Sequence, residues 1–257
     1  MRGFCPLASG SKGNCIYLGT DQVKILIDAG ISARAIQTKL AAIGVNLSEI
    51  DAILITHDHT DHIQGLRTLA CKMGIPIIAN QETAKGIVEA LQHCPKFKIF
   101  STGETFGFGD LEIHPFSIPH DTLDPVAFTI RTQRHKLGFC TDLGFATSLV
   151  QSQLRNCDYL YLEANHQPSM VDACHRPAVY KQRVLGRNGH LSNQACAQLL
   201  LQVFHAELKH VHLAHLSSEC NSPETALHIV NSALQAHNMH VEVSIAPQNT
   251  PGRTIHF

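Results

Sequence analysis

The chain has no tryptophan, only four tyrosines and an aromatic fraction of 6% over 257 residues. A broad aromatic platform for nucleobases is therefore not expected. Any stacking must rest on a few residues such as Tyr180 or Phe145, which favours binding of a backbone over reading of bases. No run of about 18 apolar residues occurs, so no membrane-spanning segment is expected. The opening residues, MRGFCPLASG, lack the apolar stretch of a signal peptide. The nine cysteines are odd in number and contain no C-x-x-C, which argues against a disulfide framework and a zinc knuckle. Reduced thiols fit a cytoplasmic location. Charged residues make up 16% and the net charge is −1, so no whole-molecule field draws in a polyanion. An anionic substrate would need a local patch. What is present, a hydrophobic fraction of 44%, suits a soluble globular protein with a full core, read here as one domain over residues 1–257.

One stretch dominates. Ala52-Ile53-Leu54-Ile55 reads as a buried strand, and Thr56-His57-Asp58-His59-Thr60-Asp61-His62 follows as the loop at its carboxyl end. Three imidazoles and two carboxylates crowded together would be costly in a plain core but suit divalent metals. Around this stretch, strands are expected at residues 3–7, 15–18, 23–28 and 75–79, with helices through Ile36-Leu40-Ile43 (capped by Ser32), 63–70 and 82–91. Antiparallel strands are expected within 99–117, a hairpin at 126–132 and 136–140, and a strand at 159–162. Helices follow at 148–154, after Ser192 and after Ser222-Pro223, with strands at 210–213 and 241–246. This order implies an α/β architecture of sheets inside and helices outside. Each half shows strands followed by helix–strand units, a coarse echo consistent with a pseudo-symmetric sandwich.

Polar residues collect at the carboxyl ends of these strands, where α/β folds gather chemistry. Besides the His57–His62 stretch they are His120, Asp142, Glu163 with His166, and His215; His190 opens a helix. Ser9-Gly10-Ser11-Lys12-Gly13-Asn14 is either an anion-binding nest of backbone N–H groups or an ordinary tight turn. From Ala173 to Ala206 there is no Asp or Glu, while Arg176, Lys181, Arg183 and Arg187 lie before His190. This run is either a solvated face or a phosphate-attracting patch at a site mouth.

The order T-H-D-H-T-D-H, then His120, Asp142 and His215, resembles the metallo-β-lactamase-fold hydrolases. S-G-S-K-G-N, I-L-I-D-A-G, T-D-L-G, E-A-N-H, G-H-L-S-N and L-A-H-L-S together look like the WalJ/YycJ-type subgroup. The segment from His190 to Ser217 is also similar to ribonuclease Z. The resemblance covers nearly the whole chain and implies an αββα four-layer sandwich with two divalent ions, Zn²⁺ expected first and Mn²⁺ second. By position, His57, His59 and His120 would hold one ion, Asp61, His62 and His215 the other, and Asp142 would bridge. Asp61 would also orient the attacking hydroxide; His190, positioned by Glu163, would protonate the leaving oxygen. Asp58 falls where the family pattern leaves the residue free. Gln167 stands where the subgroup often has an acid, a departure that bears on the Asn165–His166 loop.

The resemblance implies a nuclease acting on DNA, with 5′-to-3′ exonuclease activity. Substrate contacts are expected from Ser11, Lys12, Asn14, Asn165, Lys181, Arg183 and Arg187. A thiolester hydrolase of the same fold would need a carboxyl-terminal region for which the chain has no spare length. A metal-stabilised binding module would not need His190.

Overall fold

The computed structural model describes residues 1–257 and divides into two compact units. The first comprises Met1–Pro115, Thr122–Val126 and Ala246–Phe257; the second comprises Phe116–Asp121 and Ala127–Ile245. The first unit holds a six-stranded sheet in the order β1 (Gly3–Ala8), β2 (Cys15–Gly19), β3 (Lys24–Ile27), β4 (Ala52–Leu54), β5 (Ile77–Asn80), β6 (Phe97–Phe100). The β1–β2–β3 meander is antiparallel, and β3 to β6 are parallel. β3 to β5 are short, buried, mostly apolar runs, whereas β6 at the sheet edge leaves Lys98 and Ile99 exposed. Leu26, Ile53 and Ile77 share a core with Ile36 and Leu40 of α1 (Ala33–Ala42), with Leu66 and Leu69, and with Ile87 of α4 (Gln81–Leu91). Ser32 caps α1 by accepting from Ala35 N, and Asn80 caps α4 by accepting from Thr83 N.

The second sheet has seven strands in the order β13 (Glu242–Ile245), β12 (His210–Ala214), β11 (Tyr159–Glu163), β10 (Lys136–Cys140), β9 (Val126–Arg131), β8 (Leu111–Ser117), β7 (Phe106–Phe108). Its plan matches the first: β9 and β10 are antiparallel, and β10 to β13 are parallel. Leu160, Leu162, Val211 and Leu213 pack with Val150 and Leu154 of α5 (Ser148–Leu154), Leu199 and Leu200 of α8 (Asn193–Val203) and Val230 of α9 (Pro223–Ala236). Ser192 and Ser222 cap α8 and α9 as expected. No helix is long and apolar enough to cross a membrane.

Three local expectations change. The helix expected over 63–70 is two single turns, α2 (Thr60–Ile63) and α3 (Leu66–Leu69). Gly65 separates them because its N–H reaches Ala29 O, and a Cβ there would lie 2.7 Å from Ile31 O. The strand around Ile99 is β6, parallel to β5 rather than antiparallel to its successors. Just before the acid-free run lies α6 (Pro168–Ala173), and within it α7 (Ala178–Leu185); apolar periodicity announces neither, and each buries one residue, Val171 and Val184.

Candidate functional site

In the first unit the His stretch follows β4, and Asp28 at the end of β3 organises it. The Asp28 carboxylate accepts from Thr56 N at 2.9 Å and from the Thr56 hydroxyl at 3.0 Å, and pairs with His62 Nδ1 at 2.8 Å. Asp28 and His62 are both buried. A carboxylate on Nδ1 fixes that nitrogen as the donor and leaves Nε2 with its lone pair. His62 Nε2 is 3.1 Å from Asn14 Nδ2 and 3.6 Å from Asp61 Oδ2. His57 is buried; its Nδ1 meets the Thr56 hydroxyl at 2.9 Å and its Nε2 lies 3.2 Å from His59 Nδ1. Two nitrogens each about 2.0–2.1 Å from one tetrahedral ion stand about 3.3 Å apart, so this separation fits a shared cation.

The chain around these imidazoles is tightly zipped. Asn14 N donates to Asp61 O at 2.8 Å, Gly30 N to Asn14 O at 2.7 Å and Ala29 N to His62 O at 2.8 Å. Gly30 is demanded by this approach: a Cβ there would overlap the Asp61 carbonyl and lie 2.6 Å from Asn14 N. Asn14 is buried within this network, while Ser11 and Lys12 are exposed at the turn. The N–H groups of Gly10, Lys12 and Gly13 are taken by Asn14 Oδ1, Gln248 Oε1 and Gly10 O, so the turn reads as self-satisfied rather than as an anion nest. Asp58 lies against Gly86 of α4.

In the second unit one carboxylate does the organising. Glu163, at the end of β11 and fully buried, accepts from Leu143 N at 3.0 Å and Leu191 N at 2.9 Å through Oε2. Its Oε1 meets His190 Nδ1 and His215 Nδ1, each at 2.8 Å. Burial alone would push this carboxyl up; His190 beside it, with the bonds from His190 and His215, holds it well below its ordinary value. Asp142 Oδ1 lies 3.0 Å from His215 Nδ1 and 3.7 Å from His190 Nδ1. One ligand atom from each of Asp142, Glu163, His190 and His215 falls within 4.8 Å of the others. Two buried carboxylates beside two imidazoles are a donor set that a divalent cation would neutralise. His120 is buried 4.0 Å from Asp142 Oδ1, its Nδ1 facing Gly189 O at 3.3 Å; burial lowers its pKa. His190 alone among these imidazoles keeps a partly exposed side chain, 20%, open to a reacting group.

Asn165 is buried and donates to His215 O at 2.7 Å, which makes it a support of that loop rather than a surface contact. Asn193 and Asn221, which sequence reasoning passed over, exchange amide bonds at 2.9 Å, and Asn221 also donates to Ala164 O at 2.8 Å. The basic run is less open than its composition suggests. Arg183 Nε bonds Asp121 at 2.6 Å, Arg176 is bidentate to Glu219, Lys181 reaches Asp172 O at 2.6 Å, and the Arg187 guanidinium lies 4.2 Å from the Phe145 ring centroid.

Residues 23–213 match the family model described as a beta-lactamase superfamily domain. The chain is 35% identical to the exodeoxyribonuclease YycJ of Bacillus anthracis, over 90% of this chain and 89% of the relative. It is 36% identical to the exodeoxyribonuclease WalJ of Streptococcus pneumoniae, over 90% and 87% respectively. Among solved structures, the metallo-beta-lactamase fold protein YhfI of Bacillus subtilis superposes with a TM-score of 0.71 at 15% identity, over 98% of this chain and 99% of the other.

Proposed function

Because the chain belongs to the β-lactamase superfamily of metal-dependent hydrolases, with its relatives in the YycJ/WalJ group, we propose that it is a nuclease that degrades DNA from a 5′ end. The observation that carries this reading is the half-buried His190 held by Glu163 beside Asp142 and His215, in a chain 35% identical to an exodeoxyribonuclease. In this reading His57, His59 and His120 would hold one divalent ion, Asp61, His62 and His215 a second, and Asp142 would be shared between them. Zn²⁺ is the first candidate and Mn²⁺ the second, since a His-and-carboxylate set accepts either. Such ions acidify a water to a pKa of about 7 and neutralise charge on a phosphodiester.

The protein's own residues do the rest. Glu163 accepts the His190 Nδ1 proton, which leaves Nε2 as the atom that carries a proton to the leaving oxygen and stabilises the imidazolium that does so. The same carboxylate fixes His215 with Nδ1 as donor, so that its Nε2 lone pair is free to ligate. Asp28 performs the equivalent service for His62. Asp61, joined to Asn14, orients the attacking water.

The test is a panel of end-labelled single-stranded DNA and RNA, each with and without a 5′-phosphate, run with Zn²⁺ and with Mn²⁺. Stepwise loss of 5′ nucleotides from DNA is expected, abolished by Asp142→Ala. Intact DNA with turnover of a thiolester instead would favour a small-molecule hydrolase, and two bound ions with no turnover of any diester would favour a binding module.

A further inference from the structure

Cys174 and Cys220 differ from the remaining cysteines. Cys5, Cys15, Cys140, Cys157 and Cys196 are buried, and burial pushes their thiols up, Cys157 to about 11 and Cys196 to about 12; such thiols are inert. Cys220 is buried too and its thiol is likewise pushed up, first by burial and then by Cys174, which packs against the same cluster and is only partly covered. The two come from segments far apart in sequence that are pinned together here. Cys174 ends α6, and Arg176 two residues on is bidentate to Glu219, the neighbour of Cys220. Gln167 N, at the start of α6, donates to Cys220 O at 2.9 Å. Cys220 clusters with Val171 and Val184, and Cys174, Met170 and Tyr180 pack against that cluster, so the approach is a packed one and not a chance one at the surface.

We propose that Cys174 and Cys220 form a redox-active dithiol, a modification site that closes to a disulfide in the presence of a peroxide and fastens the α6–α7 segment to the loop that carries His215. A disulfide needs an S–S distance of about 2.05 Å, and these two cysteines pack in one cluster whose segments are already pinned together by Arg176 on Glu219 and Gln167 N on Cys220 O. The partly exposed Cys174, as thiolate, attacks a peroxide oxygen, the O–O bond breaks, and water leaves after protonation. The Cys220 sulfur then attacks the sulfenic sulfur, forming the S–S bond as the S–OH bond breaks, and the hydroxyl leaves with the Cys220 proton as a second water. Two electrons pass from the sulfurs to one hydrogen peroxide, and a dithiol reductant reverses the step.

Closing a loop of this length with one bond raises the unfolding midpoint, by on the order of 5 °C. The segment so fixed carries Lys181 and Arg183, and Arg183 reaches back to Asp121 beside His120. The effect on catalysis rests on the nuclease reading above, whereas the bond itself does not. Oxidation is therefore expected to change KM for single-stranded DNA severalfold while leaving turnover of a small bis-aryl phosphodiester unchanged.

The experiment treats the metal-loaded protein with hydrogen peroxide, alkylates free thiols, and maps peptides without reduction, with the exposed Cys94 as the reactive control. A single Cys174–Cys220 cross-linked peptide, reversed by dithiothreitol and absent from Cys174→Ser, is expected. Cys174 recovered singly alkylated or singly oxidised while Cys94 has reacted, or joined to another cysteine, overturns the proposal. Cys174→Ser changes a half-covered position and keeps the fold testable where Cys220→Ser could fail. A cross-link that leaves KM for DNA unchanged overturns the fastening of α6–α7. Absence of turnover on every diester counts against the nuclease reading alone, because the peptide map still decides the dithiol.

Discussion

Replacing Glu163 by glutamine changes no shape and one charge, yet the geometry leaves the amide no good orientation. Oε2 serves two backbone donors, Leu143 N at 3.0 Å and Leu191 N at 2.9 Å; Oε1 serves His190 and His215, both at 2.8 Å. If the amide NH₂ takes the Oε2 place, it faces two backbone N–H groups that cannot reverse their role. Two buried unsatisfied donors cost about 1–3 kcal/mol each. The oxygen therefore takes that place, and NH₂ faces the two imidazole Nδ1 atoms. Both rings are then driven to accept at Nδ1 and carry their proton on Nε2, His215 against the competing acceptor Asp142 Oδ1 at 3.0 Å. His215 loses the lone pair that would ligate an ion, and His190 loses the charge that stabilises its imidazolium. General acid help is worth typically 10²–10⁴-fold, so kcat for Glu163→Gln should fall about 10²–10³-fold, or about 3–4 kcal/mol of barrier. Bound metal should fall with it, by the 10–100-fold in affinity that removal of an orienting partner typically causes. The assays are steady-state kinetics on a bis-aryl phosphodiester and metal content after dialysis against a weak chelator. A variant with kcat within threefold of wild type and full metal content would refute the role given to Glu163.

Asp28→Asn should weaken metal binding about 10–100-fold by the same logic at His62, with less effect on kcat once metal saturates; a chelator competition that gives wild-type affinity sinks the idea. Gly30→Ala forces a Cβ into the Asp61 carbonyl and to 2.6 Å from Asn14 N, at a cost of about 2 kcal/mol for overpacking and about 1 for a weakened hydrogen bond. At 2–4 °C per kcal/mol, the melting temperature should drop by about 6–12 °C, and an unchanged melt means that the close approach is absent. His166 is buried, its Nδ1 without a hydrogen-bond partner, and burial lowers its pKa to about 4. The unfolded chain, with an ordinary imidazole near 6.5, takes up this proton first, so folding stability should fall as pH drops from about 6.5 to about 4, by about 3 kcal/mol in all. Urea titrations across that window should show the slope in wild type and lose that part of it in His166→Gln.

The candidate metal ligands are legible because they sit at the ends of apolar strands and crowd together in sequence, as His57 to His62 do. Their supports are legible only in part: Glu163 is expected beside His190, but its second bond to His215, 52 positions on, and that of Asp28 to His62, 34 positions on, join distant parts of the chain. The same distance hid the partners of the basic run. Asp121 and Glu219 lie outside the acid-free stretch, 62 and 43 positions from the arginines they meet. A turn rich in glycine and serine says that the backbone bends, but not whether its N–H groups face solvent or its own side chains; Asn14 and Gln248 decide that here. Helices capped by serine and carrying an apolar stripe, α1, α8 and α9, stood where periodicity put them. Helix α7 has only Val184 buried and no side-chain cap, so it depends on contacts that local sequence does not encode.

Six residues other than glycine have left-handed backbones: Asp28, Gln92, Asp142, Asn156, His215 and Asn238. Gln92, Asn156 and Asn238 follow α4, α5 and α9, where a left-handed residue commonly ends a helix. The other three end strands β3, β10 and β12, and they are Asp, Asp and His. A strand end has no such need, and a left-handed conformation there costs a non-glycine residue about 1–3 kcal/mol. It turns the side chain out of the alternation of the strand and across the sheet edge, where the imidazoles are. Asp28 and Asp142 end corresponding strands of two sheets built to the same plan, so the device occurs once in each half. In each case neighbours fix what is strained: Thr56 and His62 on the Asp28 carboxylate, Leu143 N on Glu163 beyond Asp142, and Asn165 on the His215 carbonyl. The same hydrogen bonds that hold the strained backbones also bring each carboxylate to an imidazole, Asp28 to His62 and Asp142 to His215, so the strain is tied to the placing of these polar groups.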